Sequence, residues 1–241
     1  MIDIHCHILP DVDDGPKSWE SATEMCRMAL ADGIEHMVAT PHSNERYHYD
    51  REYLSRLLND LRERIGENPK LSLGCDFHMS YENLQSALSD PDRYCIEGTH
   101  YMLAEFSNYG VPPQLDQSLT QLRTLGITPI ITHPERNPIL QQNLQRVLGW
   151  IELGCAVQIT ASTLTGFWGA QASQAADWLL KNNAVHVVAT DAHDTKRRVP
   201  ILSAARASIA ETFGSDIARA LVEENPRAII RDKPLPYFWT C

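Results

Sequence analysis

Short apolar, β-branched runs alternate along the chain with stretches whose apolar residues recur every three or four positions. Ile2 to Ile4, Ile34 to Ala39, Leu71 to Asp76, Tyr101 to Glu105, Thr128 to Thr132, Ala156 to Thr160 and Val185 to Thr190 read as strands. Between the first two, Ala22, Met25, Cys26, Ala29 and Leu30 make the apolar stripe of a helix that Ser18 caps and Gly33 closes. Similar stripes follow at Leu54, Leu57, Leu58 and Leu61, at Leu115, Leu119 and Leu122, at Leu144, Val147, Leu148 and Ile151, and at Ala172, Ala175, Ala176, Leu179 and Leu180. The rest of the chain reads as mostly helical. About seven strands separated by helices is the pattern of a parallel α/β sheet or barrel, and a closed or nearly closed barrel is the expected form. No repeat, low-complexity run or Gly/Ser linker interrupts the pattern, so residues 1–241 read as one domain.

The residues at the strand ends turn a fold prediction into a chemical one, because active sites of α/β barrels are built where strands end and loops begin. His5, His7, Asp14 (in the first loop), His42, Asp76, Glu105, His133, Asp191 and His193 occupy those positions. Residues i and i+2 of a strand share a face, so His5-Cys6-His7 can aim two imidazoles at one ion while Cys6 points away. Asp191-Ala192-His193 has the same spacing and is expected to repeat that geometry. A single H-x-H is a weak signal, since surface histidines are common; matched donors on several strand ends are hard to obtain by chance. His36, His48, His78, His100 and His186 lack such company and are expected to be ordinary surface or satisfied histidines.

The candidate donors are imidazole nitrogen and carboxylate oxygen, with no thiolate. That set suits Mn²⁺, Fe²⁺ or Zn²⁺ in an open site more than a structural zinc. There are more donors than one ion uses, so two or three divalent ions are expected. A cluster of that kind suits hydrolysis, because it can acidify water, orient a phosphate and stabilise a leaving oxygen. Arg136 follows His133, and Arg198 follows Asp191 and His193. A guanidinium matches two phosphate oxygens with parallel hydrogen bonds, so both are candidate phosphate clamps; the competing reading is a surface arginine, and Arg197 could serve equally in place of Arg198.

Composition narrows the reading further. The 241 residues carry 21 basic against 31 acidic side chains, a formal net charge of −10, which argues against a generic binder of nucleic acid or anionic membrane. No apolar run approaches the ~20 residues of a spanning helix, and Met1-Ile2-Asp3-Ile4-His5 is no secretory leader, so a cytoplasmic protein is expected. The six cysteines are scattered singly and read as reduced core filler. There is no G-x-S-x-G elbow, no phosphate-binding glycine loop, and no arginine six residues after any cysteine, so a phosphatase here must use metal and water.

Asp3-Ile4-His5-Cys6-His7-Ile8-Leu9-Pro10, Asp13-Asp14-Gly15-Pro16, Ala39-Thr40-Pro41-His42, His133-Pro134-Glu135-Arg136 and Ala189-Thr190-Asp191-Ala192-His193 resemble the polymerase-and-histidinol-phosphatase superfamily. Within it, the chain is similar to the bacterial tyrosine-protein phosphatases that accompany capsule and exopolysaccharide tyrosine autokinases. The resemblance runs in order to about Pro226. It implies a distorted (β/α)₇ barrel and a cluster of up to three ions, manganese favoured. It further implies removal of phosphate from the tyrosine-bearing tail of a kinase. By the resemblance, His5, His7, Asp14, His42, Glu105, His133, Asp191 and His193 are ligands, and Arg136 and Arg198 bind phosphate.

Three positions depart from the pattern: Asp76 stands where glutamate is usual, Asp194 where asparagine is common, and Asn137 where an aromatic is usual. Asp76 is expected to pull an ion closer, insert a water or weaken one site, and Asp194 to add negative charge near an anionic substrate. The ending Tyr237-Phe238-Trp239-Thr240-Cys241 is not family-like and reads as a docked tail or a self-association patch. The competing readings are a phosphatase of a small metabolite such as histidinol phosphate and a metal-containing kinase regulator that hydrolyses nothing. An amidohydrolase is weaker, since no lysine sits where its bridging ligand would.

Overall fold

The computed structural model describes residues 1–107, 110 and 114–237, the side chains of residues 81 and 82 excepted. Its strands are β1 (Ile2–Cys6), β2 (His36–Ala39), β3 (His42–Ser43), β4 (Lys70–Leu73), β5 (Asp76–His78), β6 (Tyr101–Glu105), β7 (Thr128–Thr132), β8 (Ala156–Thr160) and β9 (Val187–Ala189). The α-helices between and after them are α1 (Trp19–Ala31), α2 (Arg51–Ile65), α3 (Tyr81–Ser89), α4 (Leu115–Thr124), α5 (Gln145–Glu152), α6 (Gly169–Lys181), α7 (Ser203–Phe213), α8 (Ser215–Arg219) and α9 (Asn225–Ile229). All strand pairs are parallel, in two sheets ordered β1-β2-β4 and β3-β5-β6-β7-β8-β9. The expected α/β class with parallel strands and intervening helices is therefore observed.

Two expected strands turn out to be broken. The run Leu71 to Asp76 divides into β4 and β5 on different sheets, and the run ending at Ala39 resumes as β3 after Thr40-Pro41. The breaks lie at one level. Pro41 has no amide hydrogen for a ladder, and Gly74 sits where a Cβ would come within 2.9 Å of Val38 Cγ1 and 3.2 Å of Thr40 Cγ2. Hydrogen bonds cross the step, Gly74 N–H to Ala39 O (2.8 Å) and Asp76 N–H to Pro41 O (3.1 Å). At the other side, Cys6 and Ala192 form a parallel bridge, with His7 N–H donating to Ala192 O and Asp191 N–H to His5 O, both 2.8 Å. The two sheets thus meet at their carboxyl ends.

The helices follow their stripes. Ser18 caps α1 by accepting from Ser21 N–H, and Gly33 takes φ +87° just beyond its end. Leu30, placed on the buried stripe by spacing, is 45% exposed, because the stripe of α1 is the narrower set Ala22, Met25, Cys26 and Ala29. Asp50 caps α2, whose Leu54, Leu58 and Leu61 are buried. Helix α3 was not foreseen: its side-chain pattern is short and mixed, and Ser80 starts it by accepting from Asn83 N–H. Cys6, Cys26, Cys75, Cys95 and Cys155 are free and buried, as expected. Tyr237 pairs its backbone with the Asn225 side chain, N–H to Oδ1 at 3.0 Å and O from Nδ2 at 2.8 Å; residues 238–241 of the unusual ending lie outside the described residues.

One face of the strands positions the site. Ile2, Ile4, Val38, Tyr101, Leu103, Ile130, Ala156, Val187 and Ala189 pack in one apolar cluster. Two residues on from its upper members, on the same face, come Glu105, Thr132 and Gln158. In β1 the pairing register slips between Asp3 and Cys6. That slip lets His5 join the face that Ile4 occupies, which strict alternation would forbid.

Candidate metal centre

His5 and His7 come from the end of β1, His42 and Asp76 open β3 and β5 just past the two breaks, and Glu105 closes β6. His133 and Asp191 follow β7 and β9, each in left-handed backbone (φ +35° and +52°). Such conformations cost a non-glycine residue of order 1 kcal/mol or more, and here they turn two donors out of the strand direction into the cluster. The expected strand geometry for Asp191-Ala192-His193 is therefore corrected. β9 ends at Ala189, and His193 is brought in by a turn in which its Nδ1 meets Asp191 O at 3.0 Å. Cys6 does point away, its thiol donating to Val38 O.

All nine expected donors fall into four overlapping groups whose ligand atoms lie within 4.8 Å of one another: His5, His133 and Asp191; His5, His7 and Asp76; His42, Asp76 and Glu105; and His7, Asp14, His42 and His193. His5 Nε2 lies 3.6 Å from Asp76 Oδ2 and 3.4 Å from Asp191 Oδ1. His42 Nδ1 lies 3.0 Å from Asp76 Oδ2, and Asp14 Oδ1 lies 3.3 Å from His42 Nε2 and 3.2 Å from His193 Nε2. His133 Nε2 lies 3.7 Å from Glu105 Oε1. The shorter Asp76 thus still reaches two groups.

The chemistry of this donor set fits divalent cations. His5 Nε2, His7 Nε2, His42 Nδ1, His193 Nε2 and both Asp76 oxygens are buried without a hydrogen-bond partner, a costly arrangement for so many polar atoms unless a ligand satisfies them. Burial, and Asp76 next, push the Glu105 carboxyl up to about 8, and burial opposes a charge on His5 while Asp76 and Asp191 outweigh it and raise its pKa to about 9. A cation at the centre would relieve the crowding of carboxylates.

Two residues that spacing did not single out fix the imidazoles. Asp13 Oδ2 lies 2.7 Å from His7 Nδ1 and also accepts from His42 N–H (3.1 Å), while Gln158 Oε1 lies 2.9 Å from His5 Nδ1. Each partner holds Nδ1 and leaves Nε2 facing the cluster, the usual device for orienting a ligating histidine. The signals were present as an acid beside Asp14 and as a polar residue inside the apolar run Ala156 to Thr160.

Arg136 and Arg198 both donate to Asp191 Oδ2, and Arg136 also to Thr160 Oγ1 (3.2 Å). Asp191 therefore turns one oxygen to the imidazoles and the other to the guanidiniums. Arg197 is exposed, whereas Arg198 reaches Asp191. Asp194 organises the loop: its carboxylate accepts from the N–H groups of Lys196 and Arg197 (2.6 Å each) and Arg198 (3.3 Å). Asn137 accepts from Ile139 and Leu140 N–H in a similar turn. Among the other histidines, His36 meets Ser72 Oγ, His100 pairs with Asp232, and buried His186 accepts from Val157 N–H.

The model of capsular polysaccharide synthesis proteins CpsB/CapC matches residues 1–231. The chain belongs to the CpsB/CapC family. It is 33% identical to the tyrosine-protein phosphatase YwqE of Bacillus subtilis (strain 168) over 239 residues, covering 98% of this chain and 93% of that one. It is 35% identical to the putative tyrosine-protein phosphatase CapC of Staphylococcus aureus over 204 residues, 82% of this chain and 79% of that one. A crystal structure from work on YwqE of B. subtilis and CpsB of Streptococcus pneumoniae, described as unique metal-dependent tyrosine phosphatases, superposes with a TM-score of 0.88 at 33% identity over 98% of this chain and 96% of that one. A phosphotriesterase homology protein of Escherichia coli has a TM-score of 0.59 at 12% identity, a likeness of fold alone. Membership in the CpsB/CapC family agrees with the resemblance drawn from the five sequence motifs. No helix of the described residues is long and apolar enough to cross a membrane.

Proposed function

We propose that this CpsB/CapC protein is a metal-dependent phosphomonoesterase acting on phosphotyrosine, with the tail of a bacterial tyrosine autokinase in capsule or exopolysaccharide synthesis as its substrate. The observation that carries the reading is the convergence of His5, His7, Asp14, His42, Asp76, Glu105, His133, Asp191 and His193, with buried, unpartnered atoms on His5, His7, His42, Asp76 and His193. We read the fold as a distorted (β/α)₇ barrel in one catalytic domain spanning 1–241, with the site at the carboxyl ends of the strands, and the cell compartment as the cytoplasm. The four donor groups would hold two or three divalent ions, Mn²⁺ with Fe²⁺ or Zn²⁺ as alternatives. When bound, the ions supply Lewis acidity and a water acidified toward neutral pH.

The chain's own residues do the rest. Asp13 and Gln158 keep the His7 and His5 rings turned inward. Arg136 and Arg198, catalytic in this reading, hold non-bridging phosphoryl oxygens and offset charge as the ester bond breaks. A phenol leaves with a pKa of about 10, so a strong general acid is less needed than for an alkyl phosphate.

Chelation with EDTA is expected to abolish hydrolysis of p-nitrophenyl phosphate, and Mn²⁺ to restore it. Full activity in the stripped protein would overturn the metal reading. Turnover of histidinol phosphate in preference to a phosphotyrosine peptide would assign a small metabolite instead.

A further inference from the structure

Trp168 sits beside the two arginines, with Phe167 against it, and neither has a role in the mechanism above. They lie between Gly166 (φ +85°) and Gly169 (φ +84°) in the turn after β8. A Cβ on either glycine would meet nothing within 4 Å, so these positions serve the left-handed backbone of the turn rather than close packing. The turn is anchored twice at Ser162, whose O accepts from Phe167 N–H (3.0 Å) and whose Oγ accepts from the Trp168 indole N–H (3.0 Å).

The Arg136 guanidinium carbon lies 3.8 Å from the centre of the Trp168 ring, and that of Arg198 lies 5.5 Å from it. One indole thus attends both members of the phosphate clamp, an arrangement worth more where the cations are partly desolvated, as these are. Phe167 meets the same indole edge-on, with ring centroids 5.2 Å apart and planes at 80°, and is 42% exposed. A pair of cations followed by an apolar ring matches a ligand that is an anion followed by an apolar ring. Phosphotyrosine has that form, whereas an alkyl phosphate or free phosphate has only the anion.

We propose that the Phe167–Trp168 corner sets a preference for aryl phosphates. Trp168 is a positioning residue that holds the Arg136 and Arg198 guanidiniums, and Phe167 offers its face to the phenyl ring of the substrate. The inference rests on the phosphatase reading of the same site.

The test uses the Mn²⁺-loaded full chain, a phosphotyrosine peptide as substrate and inorganic phosphate as competitive inhibitor. Phe167→Ala is expected to raise KM for the peptide about tenfold, the worth of one aromatic pair, with kcat and phosphate inhibition unchanged. Trp168→Leu is expected to weaken both peptide binding and phosphate inhibition by roughly 10- to 30-fold, and Trp168→Phe to bring both back to within about threefold. An unchanged peptide KM in Phe167→Ala, or a Trp168→Leu protein with intact phosphate inhibition, overturns the proposal. A wild-type protein without metal-dependent turnover overturns the phosphatase reading instead. In that event, calorimetric binding of phenyl phosphate against inorganic phosphate to the same variants decides the role of the corner by itself. A loss of phenyl selectivity supports it, and equal selectivity refutes it.

Discussion

Within two residues along the strands, the same face changes from a packed apolar cluster to a set of polar donors. At the amino end, Ile2, Ile4, Val38, Leu103, Ile130 and Val187 fill space against one another and need nothing else. At the carboxyl end, imidazoles and carboxylates crowd together with buried atoms that no protein group satisfies. The first half lowers the free energy of folding through packing and removal of apolar surface from water. The second raises it in the absence of a cation, and is tolerated because the first half and the surrounding helices supply the stability. Stability and chemistry are therefore separable along a single strand.

The most severe way to break this comparison is at the donors. His5→Ala combined with His7→Ala should cut turnover of p-nitrophenyl phosphate at least about a thousandfold, or roughly 4 kcal/mol of barrier, with bound metal lost in elemental analysis. The opposite signature belongs to Leu103, fully buried in the apolar half. Leu103→Ala should cost about 3 kcal/mol in urea unfolding while turnover per folded molecule stays within about twofold. If Leu103→Ala instead lost its metal before it lost its fold, the two halves would not be separable.

A smaller effect comes from His186, buried at the amino end of β9. Burial holds its pKa down at about 4 against a usual value of 6.5, and its Nδ1 must stay unprotonated to accept from Val157 N–H. The unfolded chain therefore binds the proton that the folded one refuses. This stability is present above pH 6.5 and is lost as pH falls toward 4, by about 2 kcal/mol between pH 7 and pH 5. The loss should be missing from His186→Asn, whose amide oxygen can accept from the same N–H; an identical pH profile for the two proteins would contradict it. The smallest effect is expected at the step between the halves. Gly74→Ala would press on Val38 and Thr40 and should destabilise by about 1 kcal/mol, seen as a lowered midpoint in the same unfolding experiment.

Much of this organisation could be read from the chain. Apolar spacing placed the main strands and five helices, because burial imposes the periods that packing then uses. The donors were legible because they recur just past the ends of apolar runs. The breaks at Pro41 and Gly74 were less legible: the proline was visible, but the glycine's reason is a neighbour, Val38, brought close only by folding. The left-handed backbone of His133 and Asp191 was hidden for a similar reason, since residue type only mildly favours it and the turn that demands it comes from the fold. Asp13 and Gln158 were missed because their function is to hold another side chain, and that relation spans 153 residues in the case of Gln158 and His5. The aromatic pair Phe167 and Trp168 carried no spacing signal at all. Its meaning comes from the two arginines that reach it from other loops.

The second oxygen of Asp191 has a consequence for how an anion enters. Oδ2 is already gripped by both guanidiniums, so the resting clamp holds an anion that belongs to the protein. If the two arginines clamp phosphate as proposed, an incoming phosphate would bind by exchange with that tethered carboxylate rather than by addition to free cations. Affinity is then set by a difference between two anions for the same partners. On that reading the carboxylate would stay at hand to reclaim the arginines, a built-in competitor that would help displace the product.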